Sequence, residues 1–179
     1  MSSAHKKVIV RRFTGETLAG YLPLTGFVRN RTIDLLDLAG RVIPLLLNDI
    51  KHVCYVRDFN LNDSVNPERL TRRTFLAKPR TEGLWVRLTF RSGDLLEGLA
   101  PIDVILADDL IQDAGLHLTP PDTRSNAQRI FVPRTSLTEL QLLAVITTPS
   151  RRKPLPAGSV PSMQEDLFRD LVPPNTRPN

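Results

Sequence analysis

One cysteine, Cys54, stands in 179 residues. It excludes an internal disulfide and suits a reducing compartment, with a buried thiol in a strand as the plain reading. Aromatic residues make up only 6% of the chain, too few for an open platform on which bases stack. No run approaches the ~18 apolar residues of a membrane span, and MSSAHKKVIVRR has no apolar stretch ahead of the first strand. The expectation is a cytoplasmic protein with no signal peptide and no membrane contact. Phosphate-cradling glycine motifs of the GxxxxGK or GxGxxG type are also missing. The three histidines, His5, His52 and His117, lie in separate segments. Only His52-Val53-Cys54 places two metal-capable side chains on one strand face, and two ligands are too few for a structural zinc. A solvent-facing His52 beside a buried Cys54 is expected, with no metal and no cofactor. Asp108, Asp109 and Asp113 lack the spacing of a calcium loop and read as a solvated acidic turn.

Charge is present but uneven. The net charge is +5, yet residues 1–56 and 57–91 each carry eight basic and four acidic side chains, while 92–145 carry three and eight. A basic first half against an acidic second repeat can steer an anionic partner to one side, or draw two halves or two copies together.

The chain repeats itself. Val86–Gly98 (VRLTFRSGDLLEG) alternates Val86, Leu88 and Phe90 against Arg87, Thr89 and Arg91, turns at Ser92-Gly93-Asp94, and continues as a second strand. Val8–Gly20 (VIVRRFTGETLAG) has the same layout at an offset of 78 residues, with Gly15 matching Gly93, Leu18 matching Leu96 and Gly20 matching Gly98. After the first hairpin, strands are expected at 32–37, 41–46 and 53–59, with Pro44 marking an edge or bulge. The second copy is expected to place them at 116–118, 129–132 and 140–146. Residues 102–115 read as a strand end followed by a turn or short helical turn. Asn66-Pro67 opens a candidate helical turn over 68–75. After Pro149 the chain is proline-rich, with one amphipathic fragment, Ser162–Leu171, as a candidate docking helix.

The two glycine-punctuated hairpins, each followed by DLAGRVIPLLLNDIKHV or NAQRIFVPRTSLTEL, resemble the Sm-like fold of the Sm, LSm and Hfq proteins in tandem, as in degenerate bacterial members. The resemblance implies a mostly β chain of two strongly bent five-stranded antiparallel barrels. They would occupy 7–59 and 84–147, joined by a basic linker over 60–83 and followed by a Pro-rich tail over 148–179. Closed rings are that family's habit, so an oligomer is expected. Its RNA-binding residues do not carry over in register: Asp103 has no following asparagine, Arg134 lacks its glycine, and Lys51-His52 lies beside the place of the family's Lys-His step.

The expected function is therefore non-enzymatic: a protein–protein assembly or regulatory module, acting through a protein partner or self-association. The alternative is an RNA-binding post-transcriptional regulator contacting single-stranded RNA through Arg69, Arg72, Arg73, Lys78, Arg80 and Arg134. A nucleotide sensor would need the same arginines to converge on a pocket.

Overall fold

The computed structural model describes residues 5–102, 115–122 and 124–147. Asp103, the acidic turn at Asp108, Asp109 and Asp113, the tail over 148–179 and its candidate helix over 162–171 lie outside the described residues.

Among the described residues eleven strands run antiparallel: β1 Lys6–Arg12, β2 Thr17–Leu22, β3 Val28–Arg29, β4 Thr32–Asp37, β5 Val42–Leu46, β6 Ile50–Val56, β7 Gly83–Phe90, β8 Leu95–Ala100, β9 Gly115–Leu118, β10 Ala127–Pro133 and β11 Leu137–Ile146. Short 3-10 turns, Leu47–Asp49 and Arg134–Ser136, lead into β6 and β11. An eight-stranded sheet runs β3-β4-β2-β1-β6-β10-β9 with β5 on β4, and a three-stranded sheet runs β11-β7-β8.

The duplication is visible in the pairing. In the first copy β1 pairs with β2 and β6, β2 with β4, and β4 with β5. In the second, β7 pairs with β8 and β11, a Leu99–Thr119 bridge links β8 to the end of β9, and β9 pairs with β10. Both copies carry the same bulge: Arg11 faces His52 and Arg12 faces Ile50, as Thr89 faces Glu139 and Phe90 faces Leu137. Lys51 and Thr138 are the extra residues. A bulge bends its strand and re-aims the side chain beside it, and the first of these two lies under the candidate site.

Two barrels were expected, and the pairing corrects this. Among the described residues neither copy closes on itself. Instead β6, the last strand of the first copy, pairs with β10 of the second, from Ala127–Val56 to Phe131–Val53. Strands of both copies thus share one open sheet, and both sheets keep free edges among the described residues. Among the described residues the expected tandem Sm-like five-stranded barrels are absent. β6 also starts earlier than expected, at Ile50 directly after the 3-10 turn. It stops at Val56, where Asn126 takes over the backbone through Arg57 and Asp58 N–H groups. The expected helical turn over 68–75 reduces to a single Asn66–Arg69 turn, and 60–82 crosses between the copies as an irregular strap.

Strand composition follows from what each face meets. The centres of β1 (Val8–Val10) and β6 (Val53–Val56) read as unbroken apolar runs because both of their faces are covered. Val8, Val10, Val53 and Tyr55 join one core with Ile33, Leu35 and Phe131. Ile9, Cys54 and Val56 join the other with Val86, Leu88, Phe90 and Ile130. β7 alternates, since only its Val86, Leu88 and Phe90 face is buried. Gly20 and Gly98 occupy matching places. A Cβ on Gly20 would lie 2.5 Å from the Leu36 carbonyl oxygen, and one on Gly98 would lie 2.9 Å from Leu118 Cβ. In both copies a glycine lets the next strand cross at close range.

Candidate binding cleft

The two hairpin turns lie on either side of a cleft of about 410 Å³, floored by the start of β6 and covered along one side by the strap. Phe13 and Gly15 come from one turn, Ser92 and Leu95 from the other, Lys51 and His52 from the bulge, and Glu68 and Arg73 from the strap. Such a volume lies within the range of small-molecule sites.

Four cations line it, each fixed by a partner. Arg11 makes a two-armed contact with Glu68, with Nη2 2.6 and 2.7 Å from the two carboxylate oxygens and Nε 3.1 Å from one of them. Glu68 is buried. Arg12 donates to Glu16 Oε2 at 2.8 Å and approaches Asp49, while its Nε is buried without a partner. Lys51 Nζ donates to Asp94 Oδ2, and Arg73 Nη1 donates to Asp94 Oδ1 at 2.9 Å. Asp94 also accepts from Ser92 Oγ at 2.8 Å. These donors, Lys51 foremost, hold the Asp94 carboxyl well below the usual carboxylate range. Lys51 stands 5.3 Å from the centre of the Phe90 ring, and Arg91 lies 4.5 Å from that of Phe13.

His52 forms part of the floor. It is 7% exposed, and neither ring nitrogen has a hydrogen-bond partner. Burial lowers its pKa to about 3, reinforced by the positive charges of Lys51, Arg11 and Arg73 and opposed by Asp94. The ring is therefore neutral, with one donor and one acceptor nitrogen. The expectation of a solvent-facing His52 is thus corrected. It continues the inward row of Cys54 and Val56, and the bulge at Lys51 does not turn it outward.

The strap is pinned beside the cleft by Glu97, a buried carboxylate of β8. Glu97 accepts from Phe75 N–H at 2.9 Å, Trp85 Nε1 at 3.1 Å and Arg87 Nη2 at 2.8 Å, and its own N–H donates to the Arg73 carbonyl at 2.7 Å. Burial pushes the Glu97 carboxyl up, but these donors outweigh it and its pKa is lowered. Further along, Thr71 Oγ1 donates to Asp122 at 2.6 Å, and Asn126 Nδ2 donates to the Pro67 carbonyl at 2.9 Å.

The six basic residues expected to act together are dispersed. Arg73 alone of them lines this cleft. Arg69 donates to Asn60 Oδ1 at 3.1 Å, Arg72 lies in the field of Asp122, Lys78 and Arg80 are exposed on the strap, and Arg134 sits in the 3-10 turn before β11. The residues gathered at the cleft with Arg73 are Arg11, Lys51, His52, Glu68 and Asp94. In the sequence Lys51-His52 stands out as a dipeptide, and the repeat places Glu16 and Asp94 at matching turns.

A family model matches residues 4–144. The chain belongs to that family, described as a family of unknown function (DUF6982). No curated protein and no solved structure matches it. Membership of this family, with the open sheets, overturns the assignment to the Sm, LSm and Hfq proteins. The ring-forming oligomer, the assembly module and the RNA regulator rested on that assignment and fall with it. Among the described residues no group of three or more metal-capable side chains comes together, and no helix is long and apolar enough to cross a membrane.

Proposed function

We propose that this chain is a non-enzymatic, cytoplasmic binding module that takes a small anion of the diphosphate class in the cleft between its two hairpin turns. The observation that carries this reading is the convergence of Arg11, Arg12, Lys51 and Arg73 over a buried His52 with unpartnered ring nitrogens. Cations drawn from β1, the β6 bulge and the strap are brought together, each held in place by a carboxylate of the chain. The burial of an unpartnered imidazole costs about 1–3 kcal/mol. A ligand with anionic groups and a hydrogen-bonding group can take the place of those carboxylates on the cations and supply the imidazole with a partner. The carboxylates are engaged, Glu68 by Arg11 and Asp94 by Lys51 and Arg73, and burial lowers the pKa of His52 to about 3, so its ring stays neutral and takes up no proton near neutral pH. That favours binding over catalysis.

Calorimetric titration with pyrophosphate at low and high salt tests the reading, beside Lys51→Ala and Arg73→Ala. Binding that weakens with salt and in both variants is expected, since each removes a direct cation. Absence of binding at millimolar pyrophosphate in low salt overturns it.

A further inference from the structure

Resting on that reading, we infer that Glu68 is a built-in stand-in for one anionic group of the ligand, and that a compact dianion releases it and loosens the strap. The cleft presents two separate cationic points, and each already holds a carboxylate of the chain. Arg11 grips Glu68 with the two-armed geometry by which arginine recognises free carboxylate and phosphate. Lys51 and Arg73 share Asp94. A ligand that satisfies both points carries two anionic groups.

Glu68 differs from Asp94 in what it is attached to. Asp94 sits in the tight β7–β8 turn, closed by backbone bonds from Phe90 N–H to the Asp94 carbonyl and from Gly93 N–H to the Phe90 carbonyl. Glu68 sits on the strap, which has no strand or helix of its own. Beside it the backbone is strained: Arg69 has φ 45° and Asn60 has φ 48°, both left-handed without being glycine. The Arg69 guanidinium donates to the Asn60 side chain, closing this first part of the strap into a loop. Val65, at the cleft rim, is 78% exposed. The Arg11–Glu68 pair, with Asn126 on the Pro67 carbonyl beside it, thus fastens a strained segment that is mostly exposed over 61–65, while Glu97 fastens the strap further along at Arg73 and Phe75. An anion on Arg11 competes with the fastening, and the loop between Asn60 and Arg69 relaxes when it wins.

Two measurements on the full chain test this. Pyrophosphate is titrated into wild type and Glu68→Gln, and amide hydrogen exchange over 60–72 is followed in wild type with and without pyrophosphate. Removal of an internal competitor is expected to tighten binding in Glu68→Gln by about tenfold, the equivalent of one charge-assisted hydrogen bond. Pyrophosphate is expected to speed exchange over 60–72 in wild type while it slows exchange around Lys51. If wild type binds but exchange over 60–72 is unchanged or slowed, Glu68 is a positioning residue for Arg11 and the inference is overturned while the anion site stands. Equal or weaker binding by a folded Glu68→Gln likewise overturns the inference and leaves the anion site standing. If neither protein binds, the anion site and the inference fall together.

Discussion

The two hairpin turns share one backbone and do different things with it. In the first, Arg12 N–H donates to the Glu16 carbonyl at 2.9 Å and Gly15, at φ 89°, closes the turn onto Arg12. In the second, Phe90 N–H donates to the Asp94 carbonyl at 2.9 Å and Gly93, at φ 81°, closes it onto Phe90. Each is then buttressed by the 3-10 turn of its own copy, Phe13 on Asp49 and Arg91 on Ser136. The side chains diverge. Glu16 spends its carboxylate on Arg12, within its own turn, whereas Asp94 reaches out to Lys51 and Arg73 from the other copy and the strap. Duplication supplied two equal frames, and the asymmetry of their side chains turned the space between them into a one-sided cationic cleft.

The frame is the first thing to break. Gly20→Ala and Gly98→Ala place a methyl group at matching crossings, but the first meets a backbone oxygen and the second a side-chain carbon and a carbonyl at 3.2 Å. Gly20→Ala is expected to lose about 3 kcal/mol and Gly98→Ala about half of that, read from urea midpoints. Equal losses, or a reversed order, break the claim that the first copy is the tighter crossing.

Glu97 has no counterpart in the first copy, where Ala19 occupies its place. Glu97→Ala makes the copies alike there and leaves Trp85, Arg87 and the Phe75 N–H without their acceptor. A loss of about 2–3 kcal/mol is expected, with new protease cleavage in the strap. A stable protein with an intact strap contradicts the role assigned to Glu97.

Acid sharpens the contrast between His52 and its counterpart on β11, Glu139, which lies exposed. The pKa of His52 is lowered to about 3 and that of His117 to about 4, both chiefly by burial. Between about pH 6.5 and those values the unfolded chain binds more protons than the folded one, so stability falls as pH falls. His52 alone accounts for about 2 kcal/mol between pH 7 and pH 5. The folded-state groups that set this are Lys51, Arg11 and Arg73, which oppose protonation, and Asp94, which favours it. His52→Gln is expected to flatten the pH dependence in that window, and an unchanged slope shows that His52 is not the proton acceptor.

Much of the frame was legible in the sequence because it is local. The glycine turns, the alternation of β7 and the strands over 32–37 and 140–146 follow from spacing and from steric limits on φ. The pairing of β6 with β10 was not legible, because its Val53–Val56 stretch reads as a buried apolar run whichever strand lies beside it. Nor was the cleft. Arg73 is visible in the sequence only as one cation in a basic run, and the bulge that brings Lys51 beside Asp94 leaves no mark in composition. Lys51-His52 stands out as a dipeptide, but its meaning depends on burial that only the completed sheet provides.

The smallest expected change in stability is the most telling about the cleft. Asp94→Asn frees Lys51 and Arg73 at a cost of about 1 kcal/mol, and Glu16→Gln alters an exposed pair worth under about 0.5 kcal/mol. The measurement to make is the pyrophosphate affinity of these two variants against wild type at one salt concentration. Binding several-fold tighter in Asp94→Asn and unchanged in Glu16→Gln is the predicted result. Equal affinities in all three, or weaker binding in Asp94→Asn, would contradict the placement of the anion site on the second turn's side of the cleft.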